Sequence, residues 1–154
     1  MTVVNEIPRV HRWLRTVLAA DVTLAGLATG GIYRGFAPKR PAGSATYPIV
    51  IYQFLAALDD NRGASATTQN RIWMRARYIV KAVHQTNDDA AVQTLADRIE
   101  AVLEAAHGGA SDIGIDSCVR VKPVYYIEQP VAQETRETFV HMGGEYEIAA
   151  RYAG

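Results

Sequence analysis

Apolar residues recur along the chain at two spacings, one typical of helices and the other typical of strands. In residues 8–20 they fall three and four positions apart, a spacing that predicts a first helix. Asp21 can cap a short second helix that runs through Leu27, and the pair Gly30-Gly31 ends this helical region. A short strand is predicted next, at residues 32–36.

The two longer strands that follow differ in polarity. Residues 47–58 are apolar on both faces, so we expect this strand to lie centrally in its sheet, covered on both sides. Residues 59–70 contain no large apolar side chain and are predicted to form a mobile loop. The strand predicted at residues 71–83 alternates between an apolar face and a face that carries Trp73 and several basic residues.

Helical spacing returns at residues 88–106, where the apolar side chains form a stripe. Thr86 or Asn87 can cap this helix, and the acidic residues that open it favour the positive end of the helix dipole. The pair Gly108-Gly109 is expected to end it. This is the most clearly patterned element of the chain.

Two more strands are predicted, at residues 118–128 and 137–152, with a bulge at Gly143-Gly144. The resulting order, α-β-β-β-α-β-β, predicts the α+β class. We expect a single domain over residues 1–154, built from a largely antiparallel sheet of four to five strands with two main helices packed on one face.

The composition is that of a folded protein with no strong electrostatic field. The chain has 154 residues, of which 49% are apolar and 21% charged, the usual range for a globular domain. Sixteen basic residues balance sixteen acidic ones, so we expect no specific nucleic-acid binding. The single cysteine, Cys118, cannot form an internal disulfide, and a reducing cytosol suits the chain. The first residues lack the apolar core of a signal peptide and the longest apolar run is short, so we expect neither secretion nor membrane insertion.

No motif with a known chemistry stands out. The four histidines are scattered over four predicted elements without metal-ligand spacing. Cys118 could act as a nucleophile beside a distant histidine, but a buried strand cysteine is the simpler interpretation. The segment Gly26–Gly31 has the wrong spacing for a phosphate-binding loop, and Asp112 and Asp116 fit a polar turn better than a catalytic pair. We therefore predict no catalytic, cofactor-binding or metal-binding residue.

Charge is distributed unevenly along the chain. The strand predicted at residues 71–83 is basic, whereas the later helix and the last strand are rich in acid. The favoured interpretation is that Arg75 and Arg77 pair with Glu145 and Glu147 across the sheet of one molecule. The alternative is that the basic strand faces acid on another subunit and sets the register of an oligomer. Trp73, a tryptophan among arginines, favours the alternative because this composition is typical of interface anchors.

Several segments of the chain resemble one family of phage proteins. The most specific are GGIYRGFAP at residues 30–38 and YPIVIYQ at residues 47–53, followed by an arginine-led strand and the helix DDAAVQTLADRIEAVLEAA. Together, from about His11 to Tyr152, they resemble the tail-completion or tail terminator proteins of phages with long non-contractile tails. The resemblance implies that no residue is catalytic and that no cofactor is needed, in agreement with the absence of a chemical motif.

This resemblance implies a structural virion protein. Its subunits would form a ring, expected to be a hexamer, on the last ring of the tail tube, where the ring stops tube growth and joins the head. The implied partners are other copies of the chain, the major tail tube protein and the head-tail connector or stopper protein, and genomic DNA can pass through the ring. The implied location is the head-proximal end of the tail, after synthesis in the host cytoplasm.

We predict the contact surface from the polar loop and the charged strands. The candidate interface residues are Asp59, Asp60, Arg62, Trp73, Arg75, Arg77, Glu145 and Glu147. Two other functions remain open at this stage. One is a different neck or connector protein of the same particle, and the other is a small enzyme or ligand-binding domain with a pocket that no motif reveals.

Overall fold

The computed structural model describes residues 7–36, 47–60, 73–86, 88–110, 113–129 and 138–152. Within these ranges the chain forms three helices and six strands. In chain order they are α1 (Ile7–Ala20), α2 (Val22–Leu27), β1 (Ile32–Arg34), β2 (Ile49–Asp60), β3 (Trp73–Gln85), α3 (Asp89–Ala105), β4 (Gly108–Ala110), β5 (Ile113–Glu128) and β6 (Phe139–Tyr152).

All six strands belong to one sheet, in the order β1-β2-β3-β6-β5-β4. β1 runs parallel to β2, and every other neighbouring pair is antiparallel. The predicted α+β class and element order are therefore confirmed. The sheet has one strand more than expected, because residues 108–110 do not simply end α3 but pair as β4 with residues 113–115 of β5.

The core lies between the helices and one face of the sheet. The apolar stripe of α1 buries Val10, Trp13, Leu14 and Leu18, and that of α3 buries Val92, Leu95, Ala96, Ile99 and Leu103. These side chains pack against alternate residues of the sheet, among them Val50, Tyr52, Ala76, Tyr78, Val80, Tyr146 and Ile148. Each large apolar side chain buried in this way contributes about 1.5–3 kcal/mol. We call the covered surface the helix face of the sheet and the opposite one its outer face.

Asp21 and Asp88 begin two of the helices. The Asp21 carboxylate accepts the N–H of Leu24 at 2.7 Å, which confirms the predicted cap of α2, and it also accepts a hydrogen bond from Arg98 Nε at 2.9 Å. The bonds from Arg98, and then that from Leu24, lower the pKa of Asp21. Asp88, rather than Thr86 or Asn87, is the residue that caps α3, because its carboxylate accepts the N–H of Ala90 at 2.9 Å.

The predicted bulge at Gly143-Gly144 is wrong. β6 pairs with β3 without interruption through both glycines, and the extra residues lie on other strands, at Leu55 in β2 and at Asp116 and Val121 in β5. β5 also begins at residue 113 rather than 118, so Asp116 lies in a strand and not in a turn.

β2 is not the central strand that its apolar faces predicted. It lies next to the edge, and β1 covers only its residues 50–52. Its second apolar face is buried although no helix of the described ranges covers it, because Ile49 and Ile51 cluster on the outer face with Val83. Asp59 and Asp60 continue β2 instead of opening a loop, and the rest of the predicted mobile loop lies outside the described residues.

Candidate assembly surface

The outer face of the sheet brings together four of the predicted interface residues. β3 and β6 are antiparallel neighbours, and their register sets Arg77 opposite Glu147, with Arg75 and Glu145 two positions away on the same face. Arg77 lies 3.2 Å from a Glu145 oxygen and 3.3 Å from a Glu147 oxygen, and Arg75 lies 3.9 Å from Glu147. The two arginines therefore pair within the sheet, as the favoured interpretation predicted.

Glu145 is the centre of this charged group. Its side chain is only 7% exposed. Besides the ion pair with Arg77, its carboxylate accepts a hydrogen bond from Lys122 Nζ of β5 at 3.0 Å. The bond from Lys122 and the neighbouring Arg77 lower the pKa of Glu145, so the carboxylate is ionised at neutral pH. Three strands are thus joined across the outer face through one carboxylate.

The structure describes the other four candidate interface residues, Asp59, Asp60, Arg62 and Trp73, only in part. Asp59 is exposed near the end of β2, and the backbones of Asp60 and Trp73 are opposite each other where β2 and β3 end and begin. The side chains of Asp60 and Trp73, and all of Arg62, lie outside the described residues. The part these residues play in an interface stays a prediction.

A second polar cluster on the outer face was missed by sequence reasoning. Lys81 is 8% exposed, and its Nζ donates a hydrogen bond to the hydroxyl of Tyr126. The Tyr126 ring stacks on His141 with 4.2 Å between centroids, and His141 Nε2 lies 2.9 Å from a Glu128 oxygen. Burial, and then the charge of Lys81, lower the pKa of His141. Gly143 lies opposite Lys81 in the register, so no side chain separates Lys81 from β5 at that level.

The candidates for chemistry stay apart in the described ranges. No three His, Cys, Asp or Glu side chains come together there as a candidate metal site. Cys118 is buried on the helix face, and burial raises its pKa to about 12. Since the thiolate is the reactive form, this environment opposes a role as nucleophile. No helix of the described part combines the length and the apolar character needed to cross a membrane.

Comparison with known proteins finds similarity among solved structures. No family model and no curated protein matches the chain. A chain in the solved virion of a native gene transfer agent particle aligns with a TM-score of 0.59 and 13% identity, over 96% of this chain and 97% of that chain. A second solved chain aligns with a TM-score of 0.46 and 8% identity, over 96% of this chain and 93% of that chain. At such low identity, the first match shows a common fold.

Proposed function

We propose that this protein is a structural subunit of a phage-like particle and acts as its tail terminator. Copies of the chain form a ring, expected to be a hexamer, that caps the tail tube, ends its growth and carries the surface that joins the head. The observation that supports this most is the similarity of the fold, over nearly the whole of both chains, to a chain of the gene transfer agent virion.

Two further observations support the same proposal. The segments at residues 30–38 and 47–53, which carry the resemblance to tail terminators, form β1 and the start of β2 on one side of the sheet as far as they are described. The outer face, which no described helix covers, presents charged side chains rather than a uniformly apolar surface. A partly polar face of this kind suits a subunit that is soluble before it assembles.

The proposal gives the protein no catalytic step and no cofactor. Its partners are other copies of itself, the major tail tube protein and the head-tail connector, and genomic DNA passes through the ring without specific binding. Its place is the head-proximal end of the tail in the virion.

Disrupting the gene in the parent phage or prophage is expected to give overlong or irregular tail tubes without joined heads. Without a cap, tube subunits continue to join the end of the growing tube, and the head has no surface to bind. Tail lengths measured by negative-stain electron microscopy, with the intact gene supplied in trans as control, test this directly.

The other outcomes are equally informative. Tails of normal length that fail to join heads would identify a connector protein of the neck instead. The similarity to a chain of the gene transfer agent virion fits that function as well, because a virion contains both kinds of protein. Intact infectious particles would contradict both functions and favour a ligand-binding domain or enzyme.

Replacing Trp73, Arg75 or Arg77 with alanine is expected to weaken ring or tail assembly while the fold stays intact. Both arginine side chains are 49% exposed, so their ion pairs add little to stability, and Glu145 keeps Lys122 as a partner when Arg77 is lost. We expect melting temperatures within a few degrees of wild type but fewer regular tails when each variant complements the disrupted gene.

Arg15→Ala is the matched control, since Arg15 is an exposed arginine on α1, away from the outer face. Normal assembly by all three variants would show that the charged face is not an interface. The proposed function would not be contradicted by that result.

A further inference from the structure

Two long stretches of the sheet edge have no neighbouring strand among the described residues. β1 pairs with β2 only at residues 50–52, and β4 pairs with β5 only at residues 113–115. Residues 53–60 of β2, here called the β2 edge, and residues 116–128 of β5, the β5 edge, therefore border the sheet on opposite sides. An uncovered edge presents a row of backbone donors and acceptors that can pair with another strand.

Exposed apolar side chains concentrate on these two edges. Nine large apolar side chains are exposed in the described part of the chain, and seven of them lie on the edges. They are Leu55 and Leu58 on the β2 edge, and Val119, Val121, Tyr125, Tyr126 and Ile127 on the β5 edge. Such a distribution is typical of surfaces that become covered in an assembly.

Each edge also carries a bulge that brings out an apolar residue. Leu55 is the extra residue of β2 and is 42% exposed, and Val121 is an extra residue of β5 and is 44% exposed. Bulges bend a strand and increase its twist, so they limit which partner strand can fit. The two edges therefore offer a specific contact rather than a flat, indiscriminate one.

Charge selects between the two ways in which edges could pair. The β2 edge ends in Asp59 and Asp60, whereas residues 117–127 of the β5 edge carry Arg120 and Lys122 and no acid. Two β5 edges together would set like charges against each other, which is unfavourable on neighbouring strands. A β5 edge against a β2 edge avoids this repulsion, because residues 53–57 of β2, which come opposite Arg120 and Lys122, are uncharged. Arg120 and Lys122 keep Glu100 and Glu145 as partners within their own molecule, so charge favours the mixed pairing by avoiding repulsion rather than by adding attraction.

Strand direction agrees with the mixed pairing. Three antiparallel steps separate β2 from β5, so the two strands run in opposite directions within one molecule. A second copy placed beside the first in the same orientation therefore brings its β2 antiparallel to the first copy's β5. Contacts of this head-to-tail type use two different surfaces and generate a ring when the rotation between copies closes.

We propose that the β5 edge of one copy pairs antiparallel with the β2 edge of a second copy, so that the sheet continues from subunit to subunit. This inference deepens the proposed ring and rests on it. The pairing sets Leu55 opposite Val121, so residues 117–122 lie against residues 54–59, and it ends at Pro123, which has no N–H to donate. Beyond Pro123 the strands diverge, because β1 of the second copy occupies its β2 at residues 50–52.

Disulfide trapping between separately purified variants tests this contact. Leu55→Cys and Val121→Cys chains, one of them tagged so that the mixed dimer has its own mass, are mixed at high concentration under mild oxidation. We expect about tenfold more mixed dimer than from the control mixture of Leu55→Cys with Val22→Cys, a ratio that corresponds to about 1.4 kcal/mol. Val22 is 86% exposed on α2, and wild type controls for Cys118, which is buried.

A second pair allows for the register. The pair Leu58→Cys and Val119→Cys tests the register one residue away from the one that sets Leu55 opposite Val121, and trapping by either pair supports the contact. Self-crosslinking of Val121→Cys at the level of the mixed dimer would overturn the proposal in favour of a two-fold β5 contact. Control-level trapping by both pairs would overturn edge pairing altogether. Either result is independent of the tail-length experiment, which tests the ring function whether or not these edges meet.

Discussion

Gly143→Ala is expected to destabilise the protein by about 3 kcal/mol or more, the upper range for overpacking a core. A Cβ at this position would lie 2.2 Å from the carbonyl oxygen of Val80 and 2.6 Å from the Cα of Lys81. Both atoms belong to the backbone of β3, so no side-chain rotation can relieve the clash. β6 would have to move away from β3, the strand it pairs with over its length. Since domains of this kind are stable by about 5–15 kcal/mol, such a loss is a large part of the total.

Urea denaturation followed by circular dichroism measures this effect, and Gly26→Ala is the matched control. An added Cβ at Gly26 meets no atom within 4 Å, and Gly26 lies inside α2, where alanine is the better helix former by about 0.8–1 kcal/mol. We expect the control to be neutral or more stable than wild type. A Gly143→Ala variant as stable as wild type would mean that β6 and β3 do not approach as closely as described.

Local periodicity was enough to predict most of the helices and strands. The two-residue alternation of β3 separated an apolar face, which holds the buried Tyr78, from the basic face of Arg77, and the apolar stripe of α3 contains the buried Leu95. Both patterns work because the direction of a side chain depends only on its own strand or helix. The same alternation, with the charges of β6, predicted the pairing of Arg75 and Arg77 with Glu145 and Glu147.

Features that depend on the neighbours of a strand could not be predicted in this way. The sequence of β2 is apolar on both faces, but its place beside the edge follows from the strand order, which no local pattern contains. The cluster of Lys81, Tyr126 and His141 depends on the register of three strands, and Gly143 permits it by leaving space between them. Gly143 looked like a bulge because glycine often marks one, whereas here it marks a close approach of two backbones.

Leu95→Ala is expected to cost about 2–5 kcal/mol, the range for removing most of a fully buried leucine. Leu95 is 0% exposed in the middle of α3, the helix that contacts β3, β5 and β6 as well as α1 and α2. No described helix covers the outer face, so the described core is covered by a single layer of helices. A cavity under α3 therefore directly weakens the packing of that layer against the sheet. Gln93→Ala, on the exposed side of the same helix, is the control and should stay within about 0.5 kcal/mol of wild type.

The same variant separates loss of folding from loss of assembly. Leu95→Ala lowers the population of folded subunits, so any defect in tail assembly should become smaller as the temperature is lowered toward the maximum of the stability curve. Arg77→Ala, whose side chain lies on the opposite face of the sheet, should fold normally and remain defective at every temperature. Tail lengths and joined heads counted at two growth temperatures for both variants test this difference. Rescue of Arg77→Ala by cooling would contradict the proposal that the outer face takes part in assembly. A cost of less than about 1 kcal/mol for Leu95→Ala would contradict its place in the core.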